Sequence, residues 1–176
     1  MAGHNKWANI KRRKEAVDKK RAQVFSKLAR SISVTAKNDP NPATNLALKA
    51  AIERAREYNV PNENIERAIS KSAQSQNLEE IIMEAYGPEG TAIIITATTD
   101  NKNRTIPEIK KILKDHDAKW AQAGSVTWAF SKSPEGFEAG FPQSISPSSQ
   151  EKLLSLFESL DDHDDVNDLY TNAQLQ

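Results

Sequence analysis

At 176 residues without a single cysteine, the chain is long enough for one large domain or two small ones with their own cores, and it has neither disulfides nor thiolate metal sites. Its 24 Lys/Arg and 24 Asp/Glu cancel, yet they are segregated: residues 1–72 carry 16 basic and 7 acidic residues, 73–132 carry 7 and 8, and 133–176 carry 1 and 9. No apolar run is long enough for a signal peptide or a bilayer span, so the chain is expected to be cytoplasmic, with no membrane partner.

Residues 1–72 read as a basic helical domain. From Val17 onward Val24, Phe25, Leu28, Ala29, Ile32 and Ala36 recur at three- and four-residue spacing, which places them on one face of a long helix. Asn41-Pro42 is expected to open a second helix, with Leu48, Ala51, Ile52 and Ala55 as its buried stripe. A third begins at Val60-Pro61-Asn62 and buries Ile65, Ala68 and Ile69. Three amphipathic helices with short connections predict a three-helix bundle.

The polar segment Ser70 to Asn77 reads as a linker to a second domain spanning residues 78–176. Glu80 to Tyr86 and Thr91 to Thr99 are strand-like, and Gly87-Pro88-Glu89-Gly90 between them suits a hairpin turn. Thr105-Ile106-Pro107-Glu108 has the spacing of a capping box for a helix that buries Ile109, Ile112 and Leu113. Ser125 to Phe130 alternates, which predicts a strand with Val126, Trp128 and Phe130 on one face. Residues 131–147, with two glycines and three prolines, are expected to form a loop. Ser148-x-x-Glu151 then caps a helix carrying Leu153, Leu156, Phe157 and Leu160, and Val166 to Thr171 is a closing strand. The fold class expected is α+β: the bundle followed by a mainly antiparallel α/β sandwich-type domain with helices on one face of the sheet.

The chemistry is concentrated near the amino terminus. Lys6, Lys11, Arg12, Arg13, Lys14, Lys19, Lys20 and Arg21 fall within sixteen positions, opposed only by Glu15 and Asp18. Such a run neutralises phosphates with release of counterions, giving salt-dependent and largely sequence-independent affinity. Trp7 either stacks on an exposed base or covers the bundle. The alternative for the run is a solvated basic helix. A second cluster, Thr99-Asp100-Asn101-Lys102-Asn103-Arg104-Thr105, sits between a strand and a helix. Its Asx residues suit a turn, whereas Lys102 and Arg104 lie beside a helix N-terminus that can take a phosphate.

Catalysis finds no support. His4, His116 and His163 are scattered, and no glycine-rich phosphate loop, HExxH or GxSxG occurs. Asp161-Asp162-His163-Asp164-Asp165 lacks the glycine and terminal glutamate of an EF-hand loop and reads as a solvated acidic face. No enzyme activity, metal, other cofactor or small-molecule substrate is expected.

The opening Met1-Ala2-Gly3-His4-Asn5-Lys6-Trp7-Ala8-Asn9-Ile10-Lys11 closely resembles that of the YebC/PmpR proteins. So do, in order, Pro61 to Ile69, Tyr86 to Gly90, Thr99 to Thr105, Gly124-Ser125-Val126 and Leu160 to Val166. The resemblance implies an N-terminal three-helix domain followed by α/β domains, and a regulator that binds DNA or a translation factor acting at the ribosome, as the mitochondrial relatives are translational activators. It carries over Lys6, Lys11, Arg12, Lys14, Lys19, Lys20, Arg21 and Arg104 as basic positions. Typical members insert a further domain after the strand equivalent to 125–130, which here is bridged by 131–147, so the chain resembles a shortened form. The family's Gly-Gly after the middle helix is replaced by Asp117-Ala118.

Three functions compete on the sequence alone. A DNA-binding transcriptional regulator comes first, a ribosome-associated factor bound to ribosomal RNA second, and an adaptor whose basic end meets an acidic protein third. Phosphate neutralisation looks the same in the first two, and no base-reading motif separates them.

Overall fold

The computed structural model describes residues 18–74 and 77–175, beginning with helix α1, Asp18–Thr35. Val24, Leu28 and Ile32 recur every fourth residue on its buried side, and Ala36, just past its end, continues the spacing. They close a core with Leu48, Ile52 and Ala55 of α2 (Leu46–Glu57) and Ile65 and Ala68 of α3 (Asn62–Ser70). The buried Ser33 hydroxyl donates to the Ala68 carbonyl at 2.9 Å, tying α1 to α3 where a hydroxyl would otherwise go unsatisfied.

Helix α2 starts four residues later than the Asn41-Pro42 signal predicts. The Asn41 side chain is used in a local turn, accepting from Ala43 N. Asn45 is the cap: its Oδ1 accepts from Leu48 N at 3.0 Å while its Nδ2 donates to the carbonyls of Thr35 and Asp39. One amide thereby closes the end of α1 and opens α2.

A short 3-10 turn at Lys71–Gln74 precedes the sheet. Strands β1 (Glu79–Tyr86) and β2 (Ala92–Thr99) form a hairpin in register from Glu79 opposite Thr99 to Tyr86 opposite Ala92. With β3 (Lys119–Ala121) and β7 (Val166–Thr171) the order is β3-β1-β2-β7, antiparallel throughout. All eight residues of the central β2 are buried, which its Ala/Ile/Thr sequence suits. Helices α4 (Lys102–Asp115) and α5 (Pro147–Asp161) cover one face. There Ile93, Ile95 and Ala97 pack against Ile109, Leu113, Leu153, Leu156, Phe157 and Leu160, each large side chain contributing about 1.5–3 kcal/mol by leaving water. On the other face Ile94 and Tyr170 meet Val126 and Ala129, and α1 lies against β2 and β7.

Four further local expectations are corrected. Helix α4 begins at Lys102, capped by Asn101, whose Oδ1 accepts from Asn103 N at 3.1 Å; Thr105 is not a cap because its hydroxyl is buried against Thr99 Oγ1 and Asp165. Residues 125–130 are not a strand. The Glu84 carboxylate accepts from the N–H groups of Gly124, Val126 and Thr127 at 2.6, 2.7 and 3.2 Å, drawing that backbone into a turn that buries Val126 and leaves Trp128 66% exposed. Helix α5 starts at Pro147 behind the cap Ser146, not at Ser148.

The segment 131–147 is not one loop. It completes a hairpin of β4 (Phe130–Ser133) and β5 (Gly136–Ala139), and then β6 (Gln143–Ser144) pairs in parallel with β8 (Ala173–Gln174). The hairpin folds onto Tyr170 through Phe137, at 5.3 Å between ring centroids. Gly136 has φ +132°, and a Cβ there would lie 2.2 Å from the Tyr170 hydroxyl, so only glycine fits. Asp117 adopts φ +56° just beyond α4, a left-handed position that glycine takes without strain.

Candidate nucleic-acid interface

Of the basic run singled out in the sequence, Lys6, Trp7, Lys11, Arg12, Arg13 and Lys14 lie outside the described residues, and of Lys19 only the backbone, in α1, is described. Lys20 and Arg21 stand exposed on the first turns of α1. The Arg21 guanidinium lies over the Phe25 ring, 5.3 Å from its centroid, a cation–π contact that orients the side chain without neutralising it.

Three other cations of α1 and α2, Lys27, Arg30 and Arg54, have a different task. Lys27, only 6% exposed, reaches the Asp161 carbonyl and lies 3.8 Å from its carboxylate. Gln23 donates to the Asp162 carbonyl and to Asp164 Oδ1, both at 3.0 Å. Arg30 bridges the Asp164 carbonyl and Asp165 Oδ1, the latter at 3.0 Å. Arg54 grips Asp168 with both arms of its guanidinium. Burial works against the charge on Arg54, but Asp168 more than offsets it and the group is held cationic.

Asp165 is the centre of this dock. Besides Arg30 it receives Arg104 Nη2 and the Thr105 hydroxyl, both at 2.6 Å, and its N–H donates to His163 Nδ1 at 3.1 Å. Burial pushes its carboxyl pKa up, but hydrogen bonds from Thr105, Arg104 and Arg30 outweigh that and hold it at about 2. The acidic run is therefore not a solvated face. It is the counter-surface on which the bundle sits, and among the described residues no group of three metal-ligating side chains comes together.

Arg104 is accordingly drawn into the dock, facing Asp165, Asp100 and Glu108. These carboxylates engage the guanidinium for which a phosphate contact is expected, and the side chain stays 45% exposed. Lys102 is exposed, with Glu79 3.6 Å away. Sequence reasoning missed Gln23, Lys27, Arg30, Arg54 and Asp168 as docking residues. The signal was present in the near-equal and opposite charges of the two ends of the chain.

Among the described residues no helix is long and apolar enough to cross a membrane. Comparison with known proteins adds family context. A family model described as the TACO1/YebC protein N-terminal domain matches residues 5–75, and one described as the TACO1/YebC second and third domain matches residues 78–135. A probable transcriptional regulatory protein of Thermoanaerobacter pseudethanolicus is 53% identical over 138 residues, covering 75% of this chain but only 55% of its own length. Another, from Caldanaerobacter subterraneus, is 36% identical over 241 positions that take in all of this chain and 99% of the relative. Those 241 positions exceed the 176 residues here by 65, the scale of a missing domain. In three dimensions the chain is similar to a conserved hypothetical protein from Aquifex aeolicus, with a TM-score of 0.77 at 27% identity over 89% of this chain and 91% of that one.

Proposed function

The chain belongs to the TACO1/YebC family, and from that premise we propose that it is a regulatory protein that binds nucleic acid through its basic helical domain, acting as a transcriptional regulator and by binding, not catalysis. The carrying observation is a division of labour among the cations of the first helix. Lys27 and Arg30 are matched by the acidic dock, whereas Lys20 and Arg21 remain exposed next in sequence to the Lys6–Lys19 run. A bundle whose Lys27 and Arg30 are already matched by carboxylates, and which still exposes Lys20 and Arg21, suits a polyanion.

The names of the relatives, probable transcriptional regulatory proteins, support the regulatory reading. Crosslinking in cells followed by sequencing of the bound nucleic acid tests it. Enrichment of promoter fragments is the expected result; a predominance of ribosomal RNA would replace transcription with translation as the process regulated. An electrophoretic titration at two salt concentrations separates both from an adaptor role, since binding to an acidic protein partner leaves no salt-dependent shift of the nucleic acid.

A further inference from the structure

Lys20, Gln23, Lys27 and Arg30 follow one another at spacings of three, four and three residues, which puts them on a single face of α1. That face is divided. Lys20 stands exposed at its start, whereas the three residues after it are taken by the acidic run 161–165. Gln23 reaches the Asp162 carbonyl and Asp164 Oδ1, Lys27 faces Asp161, and Arg30 faces Asp165. One stripe of donors thus begins in solvent and ends under carboxylates.

Carboxylate and phosphate oxygens offer an ammonium or a guanidinium the same charge-assisted hydrogen bonds. Asp161, Asp164 and Asp165 therefore meet the stripe where a row of phosphates would otherwise lie. A nucleic-acid backbone seated on Lys20 runs next into these acids, and like charges repel. It either stops there or takes the stripe over.

The junction favours takeover. The bundle core draws only on residues 24–69 and the two cores of the sheet domain only on residues 81–175, so among the described residues no buried apolar cluster spans the two. Charge and hydrogen bonds join them at α1, and these yield to salt and to competing anions. Domains joined without a large apolar interface move relative to one another. Each cation handed from a carboxylate to a phosphate also releases counterions that the phosphate had condensed, a gain that the carboxylate contact lacks.

We infer that Lys27 and Arg30 belong to the nucleic-acid surface and that residues 161–165 occupy it in the unbound chain as an internal stand-in for phosphate. Binding displaces the acidic run from α1 and extends the contact from Lys20 to Arg30. The Arg54–Asp168 pair lies on α2, outside the stripe, and stays closed as the tether. This rests on the nucleic-acid reading above and adds its regulation: the chain binds below its full strength until the run is moved.

The test uses the full chain and a fluorescein-labelled DNA duplex, with affinity read by anisotropy over a salt series. Asp161→Asn/Asp164→Asn weakens the hold of the run on α1, and Glu135→Gln/Glu138→Gln makes the same change of charge on the exposed β4–β5 hairpin. The expected result is a gain in affinity of about tenfold in the first and clearly less in the second. A second measurement stands if the aspartate variant fails to fold. In Gln23→Cys/Asp164→Cys, on a chain with no other cysteine, a short bis-maleimide bridge fastens the run to α1. Bridging is expected to weaken binding several-fold and to flatten the slope of log affinity against log salt by about 1–2. Equal gains in the two charge variants, or the same affinity and slope with and without the bridge, overturn the inference and leave the nucleic-acid reading standing. Binding by none of these proteins at low salt, the wild type included, overturns both.

Discussion

Arg54 of α2 and Asp168 of β7, 114 residues apart in sequence, face each other as a two-armed ion pair that ties the helical bundle to the sheet. Both side chains are largely shielded from water, so the pair is hard to replace by halves. Removing one partner strands the other's charge against an apolar surface. Arg54→Ala is expected to cost about 2–4 kcal/mol of stability, measured by urea unfolding. The double variant Arg54→Ala/Asp168→Ala should cost clearly less than the two single changes together. Additive losses would mean that the two residues do not act on each other.

The same dock makes stability depend on acid. The Asp165 carboxyl is depressed from 3.8 to about 2 in the folded chain. A carboxyl lowered on folding contributes stability that is fully present above its unfolded value and is lost as pH falls through its folded one. Between pH of about 4 and about 2 the wild type should therefore lose stability more steeply than Asp165→Asn, with the two curves running parallel above that range. Urea midpoints taken at several pH values check this; parallel curves throughout would remove Asp165 from the account.

Glu84 organises the turn at 124–127 from across the sheet, and its loss leaves three backbone donors without an acceptor. Glu84→Ala should destabilise by about 2–4 kcal/mol and Glu84→Gln by less, since the amide oxygen still accepts. Hydrogen exchange at the Val126 N–H should quicken in the alanine variant. Unchanged protection there would show that another group satisfies the turn.

Asp117 occupies a left-handed position at the end of α4, where an L side chain is strained and glycine is not. Asp117→Gly is thus expected to stabilise the chain by about 0.5–1 kcal/mol, read as a rise in melting temperature. A fall would mean that the aspartate side chain makes up for the strain of its backbone.

The proposed nucleic-acid reading divides the cations into two sets that salt dependence can separate. The double change Lys20→Gln/Arg21→Gln should weaken nucleic-acid binding and lower the slope of log affinity against log salt by about 1–2. Arg104→Gln should leave that slope intact and lower the melting temperature, because its guanidinium faces Asp165, Asp100 and Glu108. A reduced slope in Arg104→Gln would return this residue to the phosphate-binding set.

Where a pattern was both local and regular, the sequence alone made the fold legible. The four-residue stripe of α1, the β1–β2 hairpin around Gly87-Pro88-Glu89-Gly90 and the closing strand Val166–Thr171 all appear as expected. Helix starts were misplaced wherever several capping residues competed, as Asn41 did with Asn45, and Thr105 with Asn101. Local hydrogen bonds to the end of α1 decided the first case, and a long-range contact the second. Thr105 is claimed by Asp165, 60 positions away, and the alternation of 125–130 is overruled by the Glu84 carboxylate about 40 positions upstream. The candidate site followed the same rule: an excess of positive charge was visible in composition, but only tertiary contacts divided Lys20 and Arg21 from Lys27 and Arg30.

The span of the dock also bears on how the chain is made. Gln23 and Asp164 are separated by 141 residues, so during synthesis the helices emerge and can pack their own core long before the acidic residues that receive them exist. For that interval Lys27, Arg30 and Arg54 lack the carboxylates that later face them, and the nascent bundle is at its most cationic beside the polyanionic ribosome. Maturation of the chain is then a progressive loss of positive field, completed when residues 161–168 emerge and close over α1.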